Sequence, residues 1–288
     1  MPIEGLRIIG EAINDSVPST NKLFAANDIE GLKALAKSQD ELGAAWIDVN
    51  VGLRAPKFMA DIVREVQSVT TKPLSIDTPD LEIAAAGLQA YNKERAGGRL
   101  PILNSVALTR PAMFDLYKIQ PFMPILLVFE REENGQSRPN RTPEETYGAA
   151  RKILKIARET VGLRNEDCIF DPGIAPIGSD TEGFLKTVLG AMRLMHDDPD
   201  FAGAHLSVGL SNFTVMLPSK RADGSPLKGP LESAFLTVAM PLGLDMIIGS
   251  VKRKYQVLSE DDPALQCLRD VLKLDGYDAI MRVVEFYS

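Results

Sequence analysis

The feature of this 288-residue chain that most constrains its fold is a series of short apolar runs along its whole length. Each run is rich in β-branched or aliphatic residues and is continuously apolar, as in parallel strands that are covered on both faces. There are eight: Leu6 to Gly10, Trp46 to Val51, Pro73 to Ile76, Pro101 to Leu103, Pro124 to Phe129, Cys168 to Phe170, His205 to Val208 and Met246 to Ile248. We therefore predict eight parallel strands.

The stretches between these runs show the three- and four-residue periodicity of amphipathic helices. The clearest is Thr142 to Val161, where Thr142 can cap the first turn and Glu145 can return the hydrogen bond. Ser179 with Glu182 repeats this spacing and predicts a second capped start. Further helices are predicted at Phe58 to Val69, Leu81 to Tyr91, Ser259 to Leu274 and Gly276 to Tyr287.

Strands that alternate with helices, without an internal repeat or a linker rich in Gly, Pro or Ser, predict one (β/α)8 TIM barrel spanning residues 1–288 as a single domain. A doubly wound open sheet is the alternative. Two long polar loops, Arg131 to Arg141 and Phe213 to Gly229, follow predicted strands. The segment Asp15 to Asn27 is an insertion after the first strand.

Composition excludes several classes of protein. Hydrophobic residues make up 45% and charged residues 25%, which fits a globular protein with a sizeable core. The net charge is -7, and without a basic face we expect no nucleic-acid partner. The apolar tract Ala234 to Val251 contains Pro241 and Asp245, so we interpret it as helix, turn and buried strand and expect no membrane association.

The number of cysteines and the first residues of the chain indicate where in the cell the protein works. Cys168 and Cys267 are too few for a disulfide framework, and the first residues have no basic region before an apolar stretch. We therefore expect a cytoplasmic protein without a signal sequence.

Carboxylates and carboxamides follow nearly every predicted strand. Ligands bind at the carboxyl ends of the strands in a parallel barrel, so these side chains are the candidates for a site. They are Glu11, Asn14, Asp48, Asn50, Asp77, Asn104, Glu130, Asp171, Ser211 and Asn212. Each could instead cap the following helix. For Asp77 and Asp171 this alternative is weaker, because Thr78-Pro79 and Ser179 already offer caps.

A ring of acids and amides without matching His or Cys suits a flat, nitrogen-rich ligand such as a pterin. An ionised carboxylate accepts two hydrogen bonds side by side, as a 2-amino group and an adjacent ring N–H require, while Asn both donates and accepts. We include Glu11 and Asn50 among the residues that contact such a ligand.

Metal and nucleotide sites find little support. His196 and His205 are the only histidines, and neither a zinc-binding spacing nor a Gly-rich phosphate loop occurs. His205 could join Cys168 and a carboxylate at a zinc, but both residues begin strands, opposite the predicted site. We therefore predict no metal. Lys220 and Arg221 are either solvated charges or a grip for an anionic tail.

Six short motifs at the ends of predicted strands resemble those of methyltetrahydrofolate:corrinoid methyltransferases. They are Ile9-Gly10-Glu11-Ala12-Ile13-Asn14, Asp48-Val49-Asn50-Val51-Gly52, Ser75-Ile76-Asp77-Thr78, Asn104-Ser105, Asp171-Pro172 and Gly209-Leu210-Ser211-Asn212. Each is weak alone, but together they cover nearly the whole chain in order. The family uses a pterin-binding TIM barrel, which also occurs in the folate module of cobalamin-dependent methionine synthase and in dihydropteroate synthase.

The resemblance implies roles for individual residues. Asp77, Asn104 and Asp171 would hold the pterin ring. Asn212 would hydrogen-bond N5 of tetrahydrofolate, and Asp48 would belong to the same network, so catalytic roles fall on these two. The resemblance also implies that a methyl group moves between N5 and the cobalt of a corrinoid, in either direction, and that the protein is a homodimer.

The chain departs from the family at Ala12, where members often have arginine. Unlike methionine synthase, it has no room for a cobalamin module and no Asp-x-His-x-x-Gly pattern, so the corrinoid is expected on a separate partner protein. Two alternatives remain: a folate-binding protein without catalysis, and dihydropteroate synthase. The second lacks its expected Ser-Arg-Lys segment after strand seven.

Overall fold

The computed structural model describes residues 3–133 and 136–288. In chain order these ranges form β1 (Arg7–Asn14), α1 (Pro18–Ala25), α2 (Ile29–Glu41), β2 (Trp46–Asn50), α3 (Pro56–Val69), β3 (Leu74–Asp77), α4 (Leu81–Ala90), β4 (Ile102–Ala107), β5 (Met123–Leu127), β6 (Glu130–Glu133), β7 (Gln136–Pro139), α5 (Pro143–Val161), β8 (Ile169–Asp171), α6 (Phe184–Asp197), β9 (His205–Leu206), α7 (Leu210–Phe213), α8 (Lys228–Ala239), β10 (Met246–Gly249), α9 (Pro263–Val271) and α10 (Gly276–Tyr287). Short 3-10 turns connect several of them.

Eight strands form one sheet in the order β10-β1-β2-β3-β4-β5-β8-β9, and every pairing in it is parallel. The two outer strands meet through bridges from Leu206 to Leu244 and from Gly209 to Ile248. Ile248 N also donates to Val208 O at 3.0 Å. The sheet therefore closes into a barrel with helices around it. The predicted (β/α)8 barrel is confirmed, and the open-sheet alternative is wrong.

The interior of the barrel is packed with apolar side chains below the carboxyl ends of the strands. This cluster consists of Ile9, Ile102, Met123, Ile125, Ile169 and Met246. A larger cluster fills the space between the strands and the surrounding helices. Both faces of each strand are buried, so the strand sequences are continuously apolar. The packed interior leaves room for a cavity inside the barrel only at the carboxyl ends of the strands.

The first and fourth strands become irregular at candidate site residues. The register of β1 against β2 shifts between Gly10 and Ile13, which brackets Glu11. The register of β4 against β5 shifts between Asn104 and Val106. Such bulges reorient side chains at the rims of barrels. Both irregularities therefore lie at the end of the barrel where a ligand would bind.

Two predicted helix starts are wrong, and one is right. Thr142 caps α5 by accepting from Glu145 N at 3.2 Å. Ser179 does not cap α6, because Asp180 accepts from the first two amides of that helix at 2.9 and 2.8 Å. Likewise Asp80 caps α4 in place of Thr78. In both cases the side chain nearer to the helix supplies the acceptor.

The predicted loop Arg131 to Arg141 contains a hairpin formed by β6 and β7. Its strands pair antiparallel from Glu130 opposite Pro139 to Glu133 opposite Gln136. These strands are mostly charged and exposed, so they lack the apolar pattern by which the other strands were found. The predicted insertion Asp15 to Asn27 contains helix α1.

The tract Ala234 to Val251 folds as predicted, with the end of α8, a 3-10 turn and then β10. In the ranges that the structure describes, no helix has both the length and the apolar character needed to cross a membrane.

Candidate functional site

A cavity of about 520 Å³ opens at the carboxyl ends of the barrel strands. Five of the seven predicted site residues line it: Glu11, Asp77, Asn104, Asp171 and Asn212. They come from five separate segments, the strands β1, β3, β4 and β8 and the short helix α7, and the closed barrel brings them together. The predicted residues Asp48 and Asn50 lie behind this lining.

The strand register explains which residues share a level at the mouth. Asn50 on β2 lies opposite Asn14 on β1, and Asp77 on β3 lies opposite Asn104 on β4. Asp48 lies opposite Ser75, one layer deeper in the barrel. Residues two apart on a strand are separated by about 6.6 Å along it. This spacing removes Asp48 from the surface that a ligand can touch.

Asn50 orients one of the cavity carboxylates. Its side-chain amide donates to Asp77 Oδ2 at 2.8 Å, and its own Oδ1 accepts from Gly52 N at 2.9 Å. Gly52 has a φ of +63°, which few residues with a side chain adopt. The turn after β2 thereby fixes Asn50, and Asn50 in turn fixes Asp77.

Asp48 is fully buried, with 0% of its surface exposed. Within the described part of the chain, neither of its carboxylate oxygens has a hydrogen-bond partner of ordinary geometry. Burial raises the pKa of Asp48 well above its usual value, and the neighbouring Asp77 carboxylate raises it further. A buried, unpaired carboxyl is most stable in its neutral form, so Asp48 is expected to hold a proton.

Burial also shifts two carboxyl groups in the cavity wall, those of Asp171 and Asp77, towards their neutral forms. Burial raises the pKa of Asp171 to about 7, against the opposing hydrogen bond from Gly173 N at 2.7 Å. Burial raises the pKa of Asp77 to about 6, and the bond from Asn50 opposes this shift. A ligand that donates N–H groups to these oxygens would restore their ionised forms.

Glu11 faces the cavity from β1. Ser211 donates from its hydroxyl to Glu11 Oε2 at 2.8 Å. Burial raises the pKa of Glu11, whereas the Ser211 bond and the positive charge of Arg253 lower it. This contact joins the first strand of the barrel to the turn that follows the seventh.

Asn212 lies on α7, the short turn after β9, and its side chain is exposed at the cavity rim. The side chain lies over Gly209, where an added Cβ would be 2.8 Å from Asn212 Nδ2. Glycine at position 209 thus provides the space that the Asn212 amide occupies.

Part of the cavity wall is apolar. It is formed by Leu127, Phe129, Ile174, Phe184 and Val188, among others. Gly173, with a φ of +76°, leaves room for Phe129, whose Cβ would be 3.0 Å from an added Cβ. A lining that combines carboxylates and amides with an apolar wall suits a flat heterocycle that has hydrogen-bonding groups on one edge.

Sequence reasoning did not identify the apolar wall, and it left Arg221 open between a solvated charge and a grip for an anionic tail. The guanidinium of Arg221 lies 4.5 Å from the ring centre of Phe286, and its Nε donates to Phe286 O at 2.8 Å. It packs against α10 and does not line the cavity. Lys220 is exposed and also lies outside the lining.

The residues weighed for a metal lie at the far end of the barrel. His205 begins β9, and its Nδ1 lies 2.8 Å from Asp245 Oδ2 and 2.7 Å from an Arg7 nitrogen. Cys168 directly precedes β8 and is buried. Over residues 3–133 and 136–288, no group of three or more His, Cys, Asp or Glu side chains could hold a metal ion.

A sequence model of the pterin binding enzyme family matches residues 13–249. The methylcorrinoid:tetrahydrofolate methyltransferase of Eubacterium limosum is 26% identical over 257 residues, which cover 84% of this chain and 83% of that relative. The dihydropteroate synthase of Xanthomonas albilineans with 4-aminobenzoic acid superposes with a TM-score of 0.57 at 15% identity, covering 95% of this chain and 96% of that one. The Yersinia pestis enzyme with a pterine-sulfa conjugate gives 0.57 at 14% identity, covering 93% of each chain.

At such low identity the solved structures establish a shared fold and nothing more. The family match is stronger, because it spans more than half of the chain and includes every strand of the barrel after β1. It confirms the pterin-binding barrel predicted from the six motifs. The chain belongs to the pterin-binding enzyme family.

Proposed function

We propose that this protein transfers a methyl group between N5 of tetrahydrofolate and the cobalt of a corrinoid carried by a separate protein. The observation that carries the proposal is the convergence of Asp77, Asn104, Asp171 and Asn212 on one cavity. The name of the Eubacterium limosum relative, a methylcorrinoid:tetrahydrofolate methyltransferase, supports the same reaction.

Binding of the pterin ring is assigned to the polar wall. The carboxylates of Asp77 and Asp171 would accept hydrogen bonds from the 2-amino and N3–H edge, and Asn104 would donate and accept beside them. The apolar wall at Phe129 and Phe184 would cover the face of the bound molecule. Asp48 and Asn50 would act on the ligand through Asp77, since neither lines the cavity.

Asn212 is assigned to N5. When the methyl group moves to folate, the N5 lone pair forms the new bond to the methyl carbon, the cobalt–carbon bond breaks with its electron pair left on cobalt, and the N5 proton leaves. In reverse, N5 departs as an amine and must gain a proton or a strong hydrogen bond. The Asn212 amide can accept from N5–H or donate to the N5 lone pair, so it can serve both directions.

The partner protein must bring its corrinoid to the cavity mouth, and the rim beside Asn212 is apolar. Val215 and Met216, just after α7, are 55% and 74% exposed. We assign docking to these residues. Arg221 is a weaker candidate for a contact with the partner, because its guanidinium packs against Phe286.

We further infer a cytoplasmic homodimer. The thiols of Cys168 and Cys267 are both free and buried, which is compatible with a reducing compartment. On α10, Tyr277 and Met281 are exposed and lie one helical turn apart, which supports a face for self-association. Light scattering coupled to size exclusion would determine the oligomer, and a monomer mass would refute the dimer.

The primary experiment mixes the purified protein anaerobically with methyltetrahydrofolate and reduced cob(I)alamin and follows the absorbance of methylcobalamin. We expect formation that depends on the protein. Asn212→Ala should lose methyl transfer while retaining folate affinity, whereas Asn104→Ala should lose folate affinity as well. Folate binding without any transfer, to free cobalamin or to the corrinoid protein, would favour a non-catalytic folate-binding protein.

A further inference from the structure

The turn that carries Asn212 is anchored by a hydrogen bond on each side. Ser211, immediately before Asn212, donates to Glu11 Oε2 at 2.8 Å. Thr214, two residues after Asn212, donates from its hydroxyl to Glu232 Oε1 at 2.6 Å. Both acceptors are carboxylates on other elements, β1 and α8.

The turn itself has little means of holding its shape. Helix α7 spans four residues and has no side-chain cap at its start. A single helical turn is marginal in water without tertiary contacts. A backbone bond from Ile177 N to Phe213 O, at 2.9 Å, provides one anchor. Leu210 and Phe213 are fully buried, and the Ser211 and Thr214 hydroxyls add the two side-chain hydrogen bonds.

Glu232 is an unusual acceptor, because it has 0% exposure in an apolar stretch of α8. Arg253 Nε lies 2.8 Å from its second carboxylate oxygen. A carboxylate this deeply buried is costly unless it is paired and hydrogen-bonded, and replacing it by an apolar side chain is often neutral or stabilising. The pairing of Glu232 with Arg253 on one side and Thr214 on the other therefore indicates that this carboxylate has a role other than stabilising the fold.

Arg253 also connects the two anchors. Its positive charge lowers the pKa of both Glu11 and Glu232, while burial raises each of them. The guanidinium thus favours the ionised form of both carboxylates, and an ionised carboxylate is the stronger acceptor for a hydroxyl. Arg253 therefore strengthens both carboxylates as acceptors, Glu11 for the Ser211 hydroxyl and Glu232 for the Thr214 hydroxyl.

We infer that Glu232 is a positioning residue for methyl transfer: through Thr214 it fixes the turn that places Asn212 against N5. The inference rests on the proposed function. Glu232 and Thr214 do not line the cavity, so their contribution is to geometry alone. Asp77, Asn104 and Asp171, to which the pterin ring is assigned, lie on β3, β4 and β8 and take no part in the Thr214 anchor. Loss of the anchor should therefore slow the chemical step and leave folate binding intact.

The test uses Thr214→Val, which removes the hydroxyl at nearly constant shape, beside Thr214→Ser, which keeps it. We expect kcat for methyl transfer to free cob(I)alamin to fall about tenfold in the valine variant, as for the loss of one buried hydrogen bond. The dissociation constant of methyltetrahydrofolate should stay within about twofold of wild type, and the serine variant should recover most of the rate.

A double-mutant cycle with Asn212→Ala separates positioning from general loss of structure. If Thr214 acts through Asn212, the valine substitution should cause no further loss of the residual methyl-transfer rate, measured at high enzyme concentration, in the Asn212→Ala background. An additive loss, a valine variant with the wild-type rate, or an equal loss of folate affinity would each overturn the inference. Because wild type is the reference, absence of transfer by wild type would instead refute the proposed function.

A second variant keeps the inference testable if the valine variant does not fold. Glu232→Gln preserves volume and retains one amide oxygen, which can accept from Thr214, but removes the ion pair to Arg253. We expect an intermediate loss of kcat with unchanged folate affinity. Arg253→Met removes the ion pair from the other side. If folded Glu232→Gln and folded Arg253→Met both keep the wild-type kcat, the role of this pair is contradicted.

Discussion

Asn50 donates from its side-chain amide to Asp77 Oδ2 at 2.8 Å, so a residue outside the cavity sets the orientation of a carboxylate inside it. The bond also opposes the rise in the pKa of Asp77 that burial causes. Asn50 therefore keeps Asp77 both aligned and more readily ionised for a ligand that donates N–H groups.

Asn50→Ala should weaken methyltetrahydrofolate binding about tenfold, because Asp77 loses its donor and becomes harder to ionise. The loss should be greater at pH 6 than at pH 8, since the pKa of Asp77 rises further. Isothermal titration calorimetry at both pH values measures this. Asn21→Ala, which changes an exposed asparagine on α1, serves as the control and should bind normally. An equal loss at both pH values would contradict the link to ionisation.

Folate affinity should rise with pH through the range in which the cavity carboxyls ionise. The pKa of Asp171 is raised to about 7 and that of Asp77 to about 6, so both are substantially protonated at pH 5.5. A neutral carboxyl accepts the ring N–H groups poorly, so binding should be roughly 10- to 30-fold weaker at pH 5.5 than at pH 8. Asp171→Asn is the control. It should bind more weakly at every pH and lose the inflection near pH 7, while protonation of the ligand affects both proteins alike.

The buried carboxyl of Asp48 should make the free energy of unfolding depend on pH. Its pKa is raised in the folded protein, so its contribution to stability is fully present below its unfolded-state pKa and is lost as pH rises through the folded value. Asp48→Asn is neutral without taking up a proton, so it avoids the free-energy cost of protonating Asp48 on folding at pH 8 and should increase the free energy of unfolding there by roughly 1–3 kcal/mol. The gain should shrink towards pH 5. Urea denaturation at the two pH values tests this, and a destabilised variant at pH 8 would show that an unseen partner stabilises the ionised carboxylate.

The barrel could be predicted from the sequence because burial on both faces makes each central strand continuously apolar. Hairpin strands β6 and β7 escaped prediction because they are exposed and charged, so no burial shapes their sequence. The caps of α4 and α6 were misassigned by one or two positions. Two neighbouring polar residues compete to cap each helix. At α6 the path of the loop decides between Ser179 and Asp180.

The sequence indicated which residues at strand ends would converge on one cavity but not how deep each would lie, and their roles in binding and catalysis stay predictions. Asp48 and Asn50 are both polar and two apart on β2, yet the barrel layer in which each lies depends on the register with β3. Glu232 was missed for a different reason. Its partner Arg253 is 21 positions later and meets it only after α8 and β10 have packed. A charged residue within the apolar tract Leu231 to Ala239 was the one available signal.

Gly209→Ala should impair methyl transfer by displacing Asn212. An added Cβ would lie 2.8 Å from Asn212 Nδ2, so the amide must move, while the φ of -75° at position 209 suits alanine. We expect kcat to fall roughly 10- to 100-fold with little change in folate affinity or stability. Gly148→Ala on α5, where an added Cβ meets nothing within 4 Å, is the matched control. A wild-type rate for Gly209→Ala would remove Asn212 from the proposed mechanism.

If the corrinoid protein docks on the apolar rim, a substitution there should impair docking without impairing methyl transfer itself. Met216 is 74% exposed four residues after Asn212, so Met216→Asp places a charge where the corrinoid protein would pack. Methyl transfer with protein-bound corrinoid should fall at least about tenfold, whereas transfer with free cobalamin should stay within about twofold, since a small molecule needs no contact with the rim. Val257→Asp is the matched control, because Val257 is 62% exposed and borders a groove away from this cavity. Lys220→Ala should have a smaller effect than Met216→Asp. Equal losses with both corrinoid forms would place Met216 in folding or folate binding and not at the partner interface.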